Sequence, residues 1–278
     1  MEPRPWSGET LKKLSRHIRD GTEPPSSLPA YEDVMVWYDE LVNHVIGRLE
    51  ALSWSSWFGD RYRPPIGRAK TIQTLREKLN RMPSMHLPSI QDIAGVRMQM
   101  SMSLIEQDAV ATFLCKHFEQ DPSIAIEDLR DGSHAGYRAV HVLLHLKDLR
   151  GRVEIQVRTQ LQGEWANLYE ELGDVLGREI RYEQLPDSDE RRAVMDRMQG
   201  LSLGQITELE AAINLISGQK YVVDTDHPAY SDPVQKTWER VEGGIDAVHA
   251  LIAELEADLI GQIQSMRSHI QSVTQEAE

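Results

Sequence analysis

Two neighbouring stretches alternate so regularly that only a sheet with one apolar and one polar face accommodates them. In the first, Val140, Val142, Leu144 and Leu146 fall on one side, and Tyr137, His141 and His145 on the other. In the second, Val153, Ile155 and Val157 are apolar, while Glu154, Gln156 and Arg158 share the opposite side. Successive strand side chains point to opposite faces, so the runs predict strands at 138–146 and 151–158. Further strands are expected at about 94–101 and 123–129, with a helix near 104–118. Helices packed on the apolar side would leave a polar, concave face, and any chemistry is expected there.

The flanks read as helices. From Tyr31 onward Val34, Trp37, Leu41, Val45, Ile46, Leu49 and Leu52 recur at three and four, as a core-facing helix requires. Trp54, Trp57 and Phe58 are expected to pack at its end. Toward the C-terminus, Val194, Met198, Leu201, Ile206, Leu209, Ile213 and Ile216 form one helical stripe. Trp238, Val241, Ile245, Val248, Ile252, Leu255, Leu259, Ile263, Met266, Ile270 and Val273 form a second, close to heptad spacing with one stutter. With a break expected at Gly218, the stripes predict an intrachain helical hairpin packed on the core in preference to an intermolecular coiled coil. The sequence thus divides into an N-terminal helical segment (1–59), a central core (60–182) and a C-terminal helical extension (183–278).

Composition narrows the class. The single cysteine excludes an internal disulfide, and the opening MEPRPWSGETLKKL lacks the apolar core of a signal peptide. No stretch approaches the ~18 uninterrupted apolar residues of a membrane span, so a soluble cytoplasmic protein with no membrane partner is expected. A net charge of -14 argues against loose nucleic-acid binding. That charge is uneven: residues 61–97 carry eight basic and two acidic side chains, residues 223–278 eleven acidic and three basic.

The run from Arg68 to Lys78 supplies much of the basic segment. Read as the start of an amphipathic helix, it places Lys70, Thr74 and Lys78 in one column of donors with Arg68 just above, an arrangement suited to a polyphosphate. Alone it would read more readily as a solvated basic face. Downstream stand DIAGVR (Asp92 to Arg97), GYRAVH (Gly136 to His141) and EIQVRT (Glu154 to Thr159). Taken singly, Asp92 could be a cap, Glu154 a surface charge, Arg97 a sheet ion pair and His141 a structural histidine. The His141–His145 pair, without a third ligand, is weak evidence for zinc.

In this order the motifs resemble those of RelA/SpoT-type alarmone synthetases: an RxKxxxSxxxK helix, then DxxGxR, GYxSxH and EIQxRT strands. Thr74 and Ala139 replace the two usual serines, and the resemblance covers about residues 60–182. It implies an α+β fold: a mixed nucleotidyltransferase-like sheet flanked by helices, here with the C-terminal helical hairpin. It also implies an ATP-dependent pyrophosphokinase that moves the β,γ-pyrophosphate of ATP to the 3′-hydroxyl of a guanosine nucleotide with Mg²⁺, giving a (p)ppGpp-type alarmone. By the same resemblance Asp92 is a metal ligand, and Glu154 a metal ligand and base. Arg68 and Arg97 would sandwich the adenine, Lys70, Lys78 and the Thr74 hydroxyl would hold the phosphates, and His141 would approach them. Tyr137 would stack on the acceptor's guanine. Gln156 and Arg158 line the same strand face, as orientation groups or as ion-pair partners.

Two departures bear on the acceptor. DGSHAGY places Ser133 where many small synthetases have a phosphate-binding lysine, and WANLYE puts Glu170 where the family has histidine. The family's toxic branch, which modifies the 3′ end of tRNA or adenosine nucleotides, is therefore one alternative, and a non-catalytic nucleotide sensor another. Arg61, Arg63 and Arg81 are available for a tRNA backbone. An antitoxin and further copies of the chain are the other partners this reading leaves open. No HD dipeptide of the family's hydrolase domain occurs.

Overall fold

The computed structural model describes residues 1–177, 180, 189–223, 250–268 and 270–271. Helix α1 (Gly8–Asp20) is capped by Ser7, and α2 (Tyr31–Glu50) buries Val34, Trp37, Leu41, Val45 and Leu49, the stripe its sequence predicts. The short α3 (Trp54–Phe58) follows. Trp54 is buried, with its indole N–H donating to the Leu49 carbonyl at 2.8 Å, Phe58 is buried as well, and half-exposed Trp57 packs edge-on against Trp54.

Five strands follow: β1 (Ile66–Ala69), β2 (Ala94–Met100), β3 (Ile126–Asp128), β4 (Val140–Leu146) and β5 (Gly151–Thr159), with sheet order β1-β2-β5-β4-β3. The β1–β2, β3–β4 and β4–β5 pairs are antiparallel. Between them lie α4 (Ile72–Arg81), α5 (Leu104–His117) and α6 (Pro122–Ala125). After β5 come α7 (Gln160–Leu176), α8 (Asp189–Gly200), a π-helical turn at Leu201–Ile206, and α9 (Thr207–Val223). This is the α+β architecture expected.

Register confirms the two-faced sheet. Val140 pairs with Val157, Val142 with Ile155 and Leu144 with Val153 on the apolar side; His141 pairs with Gln156, Leu143 with Glu154 and His145 with Arg152 on the other. Helix α2 lies against the apolar side so closely that two glycines are needed beneath it. A Cβ on Gly67 would stand 2.8 Å from Cγ1 of Val42, and one on Gly151 2.7 Å from Cδ2 of Leu41.

The chain forms two compact units, each drawn from separate stretches of the sequence. One comprises Met1–Met100, Val110–Asp128 and Val140–Val157; the other comprises Ser101–Ala109, Leu129–Ala139 and the described residues from Arg158 onward. The N-terminal helices group with the sheet, because α2 packs against it. In the second unit Leu161, Trp165, Leu168, Met198, Ile206, Leu259 and Ile263 form a buried cluster, with Val194, Leu201, Leu209 and Ile270 packed on it. Leu161, Trp165 and Leu168 come from α7, and the others are residues of the two expected helical stripes.

Several local expectations need correction. Arg68 lies on β1, not on a helix: Thr71 is the N-cap and the helix begins at Ile72, so Lys70 precedes it. The strand expected at 123–129 shrinks to 126–128 because Asp121 caps and Pro122 opens α6. Tyr137 precedes β4, because Gly132, Ala135 and Gly136 all take positive φ and turn the chain there. Helix α9 continues through Gly218 to Val223. Trp238, Val241, Ile245, Val248 and Val273 lie outside the described residues.

Candidate active site

Glu154 sits on the polar side of β5 in the first unit and is only 9% exposed. Its Oε1 lies 3.3 Å from Nδ1 of His141, and its Oε2 accepts a 2.7 Å hydrogen bond from Nε2 of Gln156. Register causes this: His141 and Gln156 are directly paired, and Glu154 is two residues along the same face. Burial alone would raise the Glu154 pKa. The hydrogen bond and charge of His141, the Gln156 bond and the Lys70 charge outweigh it and hold the value at about 2. Glu154 is therefore ionised at neutral pH.

Asp92 forms the second cluster of this unit. Lys78 Nζ lies 2.7 Å from its Oδ1, and Lys70 Nζ 3.3 Å from its Oδ2. Lys70 reaches Asp92 because its backbone N–H bonds the Ile93 carbonyl at 2.8 Å, and Lys78 because it lies on the α4 turn facing that loop. The column of donors expected on one helix is thus assembled from a strand end and a helix. Lys70 links the clusters, since its charge acts on both carboxylates. Thr74 is engaged differently: its hydroxyl donates to the Thr71 carbonyl at 2.9 Å and belongs to the helix cap.

On β1 and β2, Ile66 faces Arg97 and Arg68 faces Gly95. Arg68 and Arg97 are therefore diagonal neighbours on one face, about 7–8 Å apart at the backbone. That spacing suits a planar ring inserted between two guanidinium planes, and Gly95 presents no side chain opposite Arg68. Asp39 of α2, which nothing in the sequence marks, anchors the edge by accepting from the Ala69 N–H at 3.1 Å.

Tyr137 and Arg158 belong to the second unit. Nη2 of Arg158 donates to the Tyr137 hydroxyl at 2.9 Å, and its guanidinium carbon lies 5.0 Å from the ring centroid. The loop bearing Tyr137 is held by the Tyr137 N–H to the His134 carbonyl at 2.8 Å and by the Ser202 hydroxyl bonding the Gly136 carbonyl at 2.5 Å. Ser202 lies in the π-helical turn. Two residues of the motifs prove to be builders. Thr159 caps α7 with Gln162 as its reciprocal partner, and Arg138 pairs at 2.6 Å with buried Glu210, 72 positions away. A T-x-x-Q spacing was the available signal for the cap; Glu210 carried none. Burial raises the Glu210 pKa despite Arg138. Ser133 and Glu170 also lie in this unit, Ser133 exposed, with its N–H bonded to Asp131.

Residues 67–173 match the model of the region found in RelA/SpoT proteins. This segment is thus similar to the region shared by RelA/SpoT proteins. Uncharacterized proteins of Mycobacterium tuberculosis and Mycobacterium bovis are 47% identical over 183 residues, covering 66% of this chain and 64% of each relative. The chain thus spans just under two thirds of the length of these curated relatives. Among solved structures, small alarmone synthetase 1 of Bacillus subtilis bound to its product pppGpp has a TM-score of 0.53 at 22% identity, covering 68% of this chain and 97% of that one. The same synthetase in a second structure scores 0.50 at 25% identity, covering 69% and 97%. The RelA/SpoT fold therefore accounts for the sheet, and Asp92, Glu154 and their cationic partners lie inside the RelA/SpoT segment. No helix among the described residues is long and apolar enough to cross a membrane.

Proposed function

We propose that this RelA/SpoT-like protein is an ATP-dependent pyrophosphokinase that transfers the β,γ-pyrophosphate of ATP to the 3′-hydroxyl of a nucleotide. The observation that carries this reading is the arrangement of Lys70, Lys78 and Asp92 beside His141, Glu154 and Gln156. Phosphoryl-group transfer depends on positioning and on charge placed ahead of the reaction, and here two carboxyl groups, Asp92 and Glu154, are each oriented by fixed partners.

Arg68 and Arg97 would grip the adenine, and Lys70 and Lys78 the phosphates, exchanging part of their pairing with Asp92 for phosphate oxygens. Asp92 and Glu154 are hard oxygen donors and fit Mg²⁺, which is commonly bound by one or two carboxylates together with substrate phosphates. Among the described residues no group of three or more His, Cys, Asp or Glu side chains is gathered as a metal site, so substrate oxygens would complete the shell. The ion, when bound, offsets phosphate charge. With a pKa of about 2, Glu154 is a weak proton acceptor in this state. Its role as base requires the negative charge of arriving phosphates to raise that value, and otherwise it aligns the acceptor hydroxyl.

The acceptor is assigned to a guanosine nucleotide, with Tyr137 as its stacking platform and Gln156 and Arg158 as orienting groups. The product named for the Bacillus subtilis structure makes GDP and GTP the first acceptors to test. A tRNA 3′ end or an adenosine nucleotide is the second reading, favoured by Ser133 and Glu170 at positions where the family places cations. The test is incubation with γ-labelled ATP, Mg²⁺ and GDP, GTP, AMP or deacylated tRNA, with Glu154→Gln in parallel. Label is expected in GDP or GTP, reduced by about 10²–10³-fold in the variant. Label in tRNA or AMP alone moves the chain to the toxic branch. ATP binding without transfer to any acceptor supports a sensor and rejects the enzyme.

A further inference from the structure

A second cationic site lies in the first unit, and none of its residues belongs to the set assigned above. Arg4, Tyr38, His145, Lys147, Arg150 and Arg152 line a cavity of about 300 Å³, and no carboxylate is among its lining residues. Four permanent positive charges around one small cavity are unexpected in a chain of net charge -14. Each adds repulsion unless an anion is present.

The N-terminal segment is built onto this place. The Arg4 N–H bonds the Leu149 carbonyl at 3.0 Å, and Trp37 of α2 donates to the Glu2 carbonyl at 3.4 Å. Arg4 is only 8% exposed. Its Nε donates to the Trp6 carbonyl at 3.2 Å, its charge acts on the Tyr38 hydroxyl, and among the described residues it has no carboxylate partner. A buried arginine held only by neutral oxygens keeps an uncompensated charge, which is costly until an anion arrives. Arg152 is likewise oriented by a neutral group, the Gln91 side-chain oxygen at 3.1 Å. Lys147 and Arg150 extend from the turn joining β4 and β5, where Asp148 is not part of the lining. The His145 pKa is lowered by partial burial and then by the charges of Arg152 and Lys147, as expected where cations face one another.

We propose that this cavity binds a diphosphate group, either free pyrophosphate or the diphosphate tail of a nucleotide. Three guanidinium forks and one ammonium match a compact, multiply charged phosphate anion, which arginine engages in bidentate fashion. A cavity of this size accepts a small anion or a terminal group rather than a nucleic-acid backbone. The proposal stands whether or not the chain transfers pyrophosphate.

The test is isothermal titration of the full chain with inorganic pyrophosphate and, separately, GDP, at low salt without metal. The double variant Lys147→Ala/Arg150→Gly removes two charges and keeps the turn, because Arg150 has a φ of 54°, where glycine is at ease. Pyrophosphate affinity at one site should fall by at least about tenfold, each charged contact being worth a large part of that factor. Lys78→Ala, in the Asp92 cluster, should leave that site intact. Equal weakening of GDP identifies a nucleotide tail; weakening of pyrophosphate alone identifies the free anion. Unchanged pyrophosphate binding in the double variant, or loss of all binding in Lys78→Ala, overturns the proposal. If the double variant unfolds, Lys147→Glu at an exposed turn position gives the same reading.

Discussion

Glu154 is almost wholly buried and still ionised, which its neighbours alone explain. Its folded pKa, about 2, lies below the ordinary 4.5. Ionisation of Glu154 therefore stabilises the fold fully above pH 4.5, and that contribution is lost as pH falls toward 2. Glu154→Gln cannot titrate. Urea midpoints measured across this window should fall more steeply for the wild type than for the variant, and parallel curves would show that the carboxylate is not held as described. At this scale the motifs that carry Asp92 and Glu154 are short and local, so the sequence alone marks both positions. Lys70, expected as a phosphate donor on the helix, stands instead at the end of β1, where it pairs with Asp92. Thr74 instead engages the helix cap, since a T-x-x-T spacing serves a cap as readily as a ligand.

Elements were legible where alternation ran long enough to exceed noise. The β4–β5 hairpin offered about eight alternating positions a strand, whereas β1 has four residues of which only Ala69 is buried, so period two has nothing to register on. What fixes β1 in place is contact with α2 and pairing with β2, both non-local. Gly67 concentrates both. A Cβ there would lie 2.7 Å from the Gly95 carbonyl oxygen and 2.8 Å from Cγ1 of Val42, so neither the backbone partner nor the helix has room to yield. Gly67→Ala should cost about 1–3 kcal/mol, the usual range for overpacking, seen as a lower urea midpoint with an unchanged slope. Because β1 carries Arg68 and leads to Lys70, the same variant should weaken ATP binding. An unaltered midpoint would mean that α2 is not seated on the sheet as observed.

For the whole molecule, the motif-bearing core marked out from the sequence and the compact units of the fold are different objects. Motifs report where chemistry is written along the chain, and those of this protein fall within residues 67–173. Folding units report which surfaces cover each other, and the apolar side of the sheet is covered by α2, which lies before that segment. A fragment of residues 60–182 would contain every motif and lack the buried stripe of Val34, Trp37, Leu41, Val42, Val45 and Leu49. Exposing the apolar face of Val140, Val142, Leu144, Val153, Ile155 and Val157 to water forfeits about 1.5–3 kcal/mol for each large side chain that loses its cover, against a total stability of about 5–15 kcal/mol. The fragment should therefore be unfolded or aggregated, without dispersed amide resonances or a cooperative urea transition, and should bind no ATP. The full chain is expected to do both. A fragment that unfolds cooperatively would show that the sheet carries its own core and that α2 is dispensable to it.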